Sequence, residues 1–265
     1  MNAPGAPLTP WVLLRGLTRE GRHWDHFPAL LAHATGQAVI PLDLPGNGKF
    51  NAMASPANVR SMTHFIRGQL QEQGHTAPYN MLAMSLGAMV ATDWAQSWPQ
   101  ELARLVLVNT SMRPFNRLTE RLRPANWPRL ALLAARWHDA NYAEHAIHTL
   151  TCNRVDTKTA DIAAWERIRK TAPVLQANAQ RQLWAAARFC CATQPPTCPM
   201  LILSSAGDHL VHPDCSKRLA SAWLAPHQQH PWAGHDLPHD DARWLLQQIA
   251  DATGDEYAAQ HTSPS

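Results

Sequence analysis

The chain has 265 residues, of which 45% are hydrophobic, and a formal net charge of +3. This composition is typical of one globular domain with a substantial core and excludes a disordered or fibrous protein. Residues 1–10 contain neither a basic segment nor an apolar run, and no stretch is long enough to span a bilayer. We therefore expect a cytoplasmic protein without a signal peptide or a membrane association.

Short apolar runs alternate with helical patterns in the first part of the chain, as a parallel sheet requires. The predicted strands are residues 11–14, 38–42, 79–84 and 105–108. The predicted helices lie within residues 22–34, over about 57–73 and over 86–98. We expect a mostly parallel sheet of about six strands, flanked by helices.

The third predicted strand runs directly into Ala83-Met84-Ser85-Leu86-Gly87, and a helical pattern follows. A serine at such a turn takes a strained backbone conformation, so its neighbours two positions away must be small, as Ala83 and Gly87 are. The turn exposes the Ser85 hydroxyl and directs the Leu86 amide to the same point. That arrangement suits a nucleophile and a donor to the oxyanion, although the motif alone also fits a packing turn.

The alternation stops between residues 111 and 197, where Ala, Arg, Trp, Leu and Gln recur at helical spacing. The predicted helices there are residues 130–137, 142–151, 159–169 and 175–188. We interpret residues 112–196 as a helical lid between two parts of a core, residues 1–111 and 197–253, and residues 254–265 as a disordered tail. The lid would cover Ser85, with Met84 and Trp184 as candidate pocket residues.

A buried strand is predicted over residues 199–205, and Asp208 follows its carboxyl end, where open α/β sheets place ligand-contacting groups. A glycine-containing loop then places His235 before a final helical pattern at residues 240–250. The order Ser85, Asp208, His235 is one of the known orders of a serine-hydrolase triad. Asp236 is an alternative partner for the imidazole, but an adjacent residue seldom points at its neighbour's ring, so Asp208 is preferred.

By these residues the chain resembles the α/β-hydrolase superfamily over about residues 11–253. Within it, the chain resembles the small lidded carboxylesterases that include the pimeloyl-carrier-protein methyl ester esterase. Residues 43–48, Asp-Leu-Pro-Gly-Asn-Gly, match the superfamily's Asp-x-Pro-Gly-x-Gly loop, and Arg15-Gly16-Leu17 stands where it usually has His-Gly-x. The resemblance implies that the Leu17 amide is the second oxyanion donor and places Arg15 and Gly16 at the substrate pocket. The antiparallel hairpin that usually opens this fold is predicted to be absent.

The sequence therefore predicts a serine hydrolase that cleaves a small carboxylic ester or a thioester through an acyl-enzyme, without a metal or an organic cofactor. Two alternatives stay open. A lyase of the menaquinone-pathway type would use the same triad, with Arg15 or Arg19 holding a polyanionic substrate. A non-catalytic relative would keep the fold and lose the triad geometry.

Residues 112–196 carry 13 Lys and Arg against 6 Asp and Glu, a net charge of +7, which leaves −4 for the rest of the chain. A solvated helical surface is the simpler interpretation. The functional interpretation is that exposed arginines, such as Arg117, Arg121 and Arg123, recruit an acidic carrier protein or an anionic substrate. No recognition motif accompanies these residues, so nucleic acid is not expected.

Two other patterns are weaker. Gly46-Asn47-Gly48 lacks the third glycine and the helix start of a dinucleotide fingerprint. His145 and His148 could share a helical face and bind a metal, but 15 histidines make such coincidences common, and we interpret both as ordinary surface or interface residues. The five cysteines lack paired ligand spacing, so we expect reduced, mostly buried thiols.

Overall fold

Six parallel strands form one sheet in the order β2-β1-β3-β4-β5-β6 in the computed structural model, which describes residues 9–254. The strands are β1 (Trp11–Leu14), β2 (Val39–Leu42), β3 (Tyr79–Met84), β4 (Leu102–Val108), β5 (Met200–Ser205) and β6 (His227–His230). Because every paired strand is parallel to its neighbour, the carboxyl ends of all six meet at one edge of the sheet. The predicted α/β class and strand number are confirmed.

Helices connect the strands. They are α1 (Phe27–Thr35), α2 (Val59–Glu72), α3 (Leu86–Ser97), α4 (Leu118–Arg121), α5 (Trp127–Ala135), α6 (Ala140–Thr151), α7 (Lys158–Thr171), α8 (Gln176–Arg188), α9 (Asp214–Trp223), α10 (Leu237–Asp240) and α11 (Ala242–Thr253). Short 3₁₀ turns occur at Gly21–Trp24, Gly48–Phe50, Pro99–Glu101 and Pro124–Asn126. No helix in the described part of the chain is long and apolar enough to cross a membrane.

Apolar side chains cover both faces of the sheet, as a parallel sheet between two helical layers requires. In β1, Val12 and Leu14 pack into the core shared with α2, α3 and α9. Trp11 and Leu13 alternate with them and pack into the core shared with α1 and α11. Each such fully buried side chain stabilises the fold by about 1.5–3 kcal/mol, so the two cores hold the strand ends in fixed positions.

Helices α4 to α8, here called the helical layer, lie between β4 and β5 in sequence. Their shared core contains Leu133, Trp137 and Ala143, separate from the two cores of the sheet. The four predicted helices of this segment are confirmed as α5 to α8, with ends within three residues of the prediction. The four-residue helix α4 was not predicted, because one turn is too short to show a period.

Several predicted boundaries differ from the structure. Helix α9 and strand β6 were not predicted, and β6 has the sequence His-Gln-Gln-His, without apolar alternation. It forms because its backbone pairs with β5 from Ile202 to Ser205. β4 begins three residues before its predicted start; the helix predicted over residues 240–250 is α11, and the short α10 before it was not predicted. The tail predicted to be disordered lies, from residue 255 onward, outside the described residues.

Candidate active site

Ser85 lies at the turn between β3 and α3 with φ 52° and ψ −120°. A positive φ is strained for a serine, so the surrounding structure must hold it there. The Ser85 amide donates a hydrogen bond to the Val108 carbonyl oxygen at 3.0 Å, which anchors the turn to the next strand. The side chain remains partly exposed. The strained, accessible serine predicted from the sequence is confirmed as geometry.

Two glycines allow the β1 loop to approach this turn. A Cβ atom on Gly16 would lie 3.0 Å from Ser85 Cβ, closer than nearly all real contacts of this kind. A Cβ atom on Gly87 would lie 2.5 Å from the Arg15 carbonyl oxygen and 2.7 Å from that of Leu14. The requirement for a small residue two positions after Ser85 therefore comes from backbone contact with the end of β1.

The Leu17 and Leu86 amides are the expected oxyanion donors, and both residues line one cavity with Ser85. Leu86 is the first residue of α3, where backbone N–H groups have no partner within the helix. Neither amide donates a hydrogen bond within residues 9–254. The two N–H groups are thus free to stabilise negative charge beside Ser85.

Asp208 and His235 form the pair predicted from the sequence. His235 Nδ1 lies 2.7 Å from Asp208 Oδ2, and both side chains are buried. The Leu210 and Val211 amides donate to Asp208 Oδ1 at 2.8 and 2.9 Å, which fixes the orientation of the carboxylate. With Nδ1–H donating to Asp208, His235 Nε2 is left as a proton acceptor. His235 and Ser85 line the same cavity, and Ser85 Oγ makes no hydrogen bond within the described residues.

The charge of Asp208 tunes the imidazole. Burial alone would lower the pKa of His235, but the Asp208 charge and hydrogen bond outweigh it, so the pKa lies above its ordinary value. An imidazolium formed on His235 is thereby stabilised, as a base that accepts a proton during a reaction requires.

Asp236, the alternative partner of His235, forms a buried bidentate ion pair with Arg15. Burial would raise the pKa of Asp236, but the Arg15 guanidinium lowers it to about 2. Each of the two aspartates thus has its own partner: Asp208 contacts the His235 imidazole and Asp236 contacts the Arg15 guanidinium. Arg15, which replaces the usual histidine of the superfamily, also lies 4.9 Å from the centroid of the Trp24 ring.

Two cavities meet at Ser85. The first, of about 210 Å³, contains His235, Arg15, Gly16 and Met84, and its far wall is formed by apolar side chains of α5, α6 and α8. The second, of about 370 Å³, is lined by Trp184 and by Leu17 and Leu86, the residues of the two expected oxyanion donors. All four predicted pocket residues therefore line a cavity that reaches Ser85.

Sequence reasoning missed the polar residues that hold the loops of the site. Asn109, which follows β4, donates to the His235 carbonyl oxygen at 2.8 Å and to Ser205 Oγ at 2.9 Å. Gln182, fully buried on α8, accepts from the Thr18 amide at 2.8 Å and donates to Asn47 Oδ1 at 2.8 Å. The position of Asn109 at the carboxyl end of a strand was an available signal, whereas Gln182 gave none.

The helical layer corrects one expectation about its arginines. Arg121 is 7% exposed and donates to the Ala186 and Ala187 carbonyl oxygens. Arg123 is partly buried and donates to the Asp208 carbonyl oxygen at 3.1 Å. Of the three arginines predicted to be exposed, only Arg117 is. Arg121 and Arg123 instead donate hydrogen bonds to backbone carbonyl oxygens and so help to fix the backbone that carries them.

Comparison with known proteins gives a consistent result. The family model for the alpha/beta hydrolase fold matches residues 9–242. RutD of Klebsiella pneumoniae strain 342, a proposed carbamate hydrolase, is 29% identical over 256 residues that cover 90% of this chain and 88% of RutD.

Solved structures share the fold. The enol-lactonase of Burkholderia xenovorans LB400 superposes with a TM-score of 0.75 and 20% identity, over 93% of this chain and 92% of that chain. A thermophilic esterase of Thermogutta terrifontis gives a TM-score of 0.73 and 21% identity, over 94% and 90% of the two chains. At such identities the superpositions establish a common fold alone.

Proposed function

Because the chain belongs to the α/β-hydrolase fold family, we propose that it is a serine hydrolase that cleaves a small carboxylic ester. A thioester is the closest variant of this substrate. The observation that carries the proposal is the strained Ser85, which lines the same cavity as His235, whose Nδ1 is paired with Asp208. The narrower likeness to pimeloyl-carrier-protein methyl ester esterases stays a prediction.

The proposed reaction begins with attack of Ser85 Oγ on the ester carbonyl carbon while His235 Nε2 takes the hydroxyl proton. The Leu17 and Leu86 amides donate to the oxyanion of the tetrahedral intermediate. His235 then protonates the leaving alcohol, and an acyl-enzyme on Ser85 remains. Water, deprotonated by His235, attacks the acyl carbon and releases the acid. Asp208 holds the imidazole tautomer and stabilises its protonated form throughout.

The cavities indicate the kind of ester. Both are lined mainly by apolar side chains, and each includes residues of the helical layer that the other does not contact. We propose that one holds the acyl group and the other the alcohol group, and that short or medium uncharged chains are preferred. The helical layer supplies most of the far walls, so we propose that it acts as the lid predicted from the sequence.

A carbamate is a related candidate, since RutD carries that name and attack at a carbamate carbonyl uses the same groups. The lyase alternative has less support. It requires a free cation near Ser85, but Arg15 pairs with Asp236, and Arg19 pairs with Glu144 at 2.6 Å. The Arg15 charge is therefore balanced before any substrate binds, whereas Arg19 is balanced only in part, since Glu144 also pairs with Arg169 at 2.7 Å.

The test combines active-site labelling with turnover. A fluorophosphonate probe should modify Ser85 of the wild-type protein, as located by peptide mass spectrometry. Ser85→Ala and His235→Ala should reduce turnover of p-nitrophenyl esters by at least about 10⁴-fold with unchanged circular dichroism. Ser111→Ala, a buried serine on the wall of the second cavity, is the matched control and should retain activity. Wild-type turnover by Ser85→Ala would refute the proposal.

A further inference from the structure

We propose that His148, Cys152 and His239 bind one divalent metal ion of the zinc type, with Asp161 beside them. One ligand atom from each of the first three residues lies within 4.8 Å of the other two. Asp161 Oδ2 lies 3.4 Å from His148 Nε2 and 3.0 Å from His239 Nε2. The cluster is outside the cavities that meet at Ser85, and it was not predicted from the histidine pattern of the sequence.

The residue types and their spacing fit such an ion. Zinc takes imidazole nitrogen and thiolate sulfur at about 2.0–2.3 Å in a tetrahedron, which separates neighbouring ligand atoms by about 3.3–3.8 Å. His148 and Cys152 are four residues apart at the end of α6, so they project from the same side of the helix. His239 comes from α10 and Asp161 from α7. Small side-chain rotations would close the three ligands around an ion.

Two of the proposed ligands are buried, His239 and Asp161 are partly buried, and the cluster contains an unsatisfied polar atom. His148 is 1% and Cys152 7% exposed. His239 Nε2 is buried and, despite its short distance to Asp161, makes no hydrogen bond of acceptable geometry. Two imidazole nitrogens thus converge on one carboxylate oxygen, an arrangement that a cation between them would stabilise.

The ion would join three elements. Cys152 follows Thr151, whose carbonyl oxygen accepts the Asp236 amide hydrogen at 2.8 Å, and His239 lies four residues after His235. A metal held by α6 and α10, with the α7 carboxylate beside it, would fasten the helical layer to the loop that presents His235. We assign it a structural role, since the ligand set is protein-derived and the Ser85 chemistry does not require it.

Cobalt binding to the full-length wild-type protein tests the site. After removal of bound metal with a chelator, Co²⁺ should bind one equivalent per chain and produce a visible spectrum with a thiolate-to-metal charge-transfer band. Zn²⁺ should displace it and raise the melting temperature. The Trp165 ring centroid lies 5.3 Å from that of His148 and 5.1 Å from that of His239, so its fluorescence should change on binding.

Variants identify the ligands. Cys152→Ser should abolish the charge-transfer band, His239→Ala should abolish stoichiometric binding, and Asp161→Asn should weaken binding by about 10- to 100-fold. His145→Ala, an exposed histidine on the same helix, is the matched control and should bind as the wild type does.

A wild-type protein without the thiolate band overturns the proposal, whether or not any variant folds. Equal loss of binding in His145→Ala also overturns it, because it indicates surface chelation. Ser85→Ala should bind the metal as the wild type does. The outcome of the metal-binding test therefore does not depend on the outcome of the esterase test.

Discussion

His235 has two buried carboxylates nearby, and their different partners determine what each does. Asp208 accepts hydrogen bonds from two backbone amides and from the His235 imidazole, whereas Asp236 forms an ion pair with Arg15. The Asp236 pair is fully buried, so removal of one partner alone would leave an uncompensated charge. The pair therefore fixes the position of Arg15, which precedes Gly16 and Leu17 and lines the cavity at Ser85.

The raised pKa of His235 predicts the acid limb of activity. His235 must be neutral to accept the Ser85 proton, so kcat/KM should rise with pH through a pKa above the ordinary value of about 6.5. Asp208→Asn removes the group that raises this pKa, so the limb should move to lower pH while kcat falls by up to about 10⁴-fold. Steady-state kinetics between pH 4 and pH 9 measures both effects. Asp214→Asn, at an exposed position, should leave the limb in place. An unshifted limb in Asp208→Asn would contradict the assignment.

The contact between Gly16 and Ser85 predicts a purely steric effect. Gly16→Ala places a methyl group 3.0 Å from Ser85 Cβ, and it should displace the serine and reduce kcat by about 10²-fold. KM should change little. Gly68→Ala is the matched control, since a Cβ there meets no atom within 4 Å and α2 should be slightly stabilised. Equal kinetics for the Gly16 variant and the wild type would mean that the loop moves to accommodate the methyl group, which would contradict the predicted steric effect.

Helix α8 contacts the loops that follow β1 and β2 through two buried amide side chains. Asn178 accepts from the Ser55 amide at 2.9 Å, and a Cβ atom on Gly46 would meet its side chain at 2.8 Å. Gln182 joins the loop after β1 to the loop after β2. The helix therefore holds two loops of the sheet edge as well as forming a cavity wall.

Gln182→Leu tests this function of α8. The substitution keeps the size of the side chain but leaves the Thr18 amide and Asn47 Oδ1 without the partner that Gln182 provides. The neighbouring Leu17 amide should then be poorly placed, so kcat should fall by about 10- to 100-fold. KM should stay nearly constant, and the melting temperature should fall by a few degrees. Arg181→Ala, exposed on the same helix, provides the reference. A rise in KM alone would indicate a substrate-binding role instead.

Hydrophobic periodicity predicted those helices and strands whose own sequence shows a clear period. The apolar runs of β1 and β3 and the helical spacing of α5 to α8 gave bounds within a few residues. β6 was not predicted, because this polar edge strand forms through pairing with the backbone of β5, which is distant in sequence. The same limit applies to Asn109 and Gln182, whose partners come from other parts of the chain.

The positions of Ser85, Asp208 and His235, the proposed triad, could be predicted because each follows a recognisable strand or loop pattern. The serine turn, the acid after β5 and the histidine loop all lie at carboxyl ends of strands. The partner of Arg15 and the burial of Arg121 were not predictable, since both depend on tertiary contacts. Charge counts along a sequence do not distinguish an arginine that binds carbonyl groups from one in water.

For the whole molecule, the net +7 of residues 112–196 predicts a salt effect if it recruits an acidic carrier or substrate. Turnover of such a substrate should fall steeply with added salt, because exposed charges are screened over about 10 Å at 0.1 M. Reversal of Arg117, Arg129 and Arg181, all exposed, to Glu should raise its KM. A small neutral ester should respond to neither change. Equal responses by both substrates would mean that the charge is a solvated surface.

The two edges of the sheet have a consequence for self-association. β2 and β6 are the edge strands of the described part, each has four residues, and β2 contains Pro41, which lacks an amide hydrogen. β6 consists only of histidine and glutamine. Neither edge offers a long apolar ladder that a strand of another molecule could extend. The described sheet can therefore leave both of its edges uncapped and still resist amyloid-like stacking in a crowded solution.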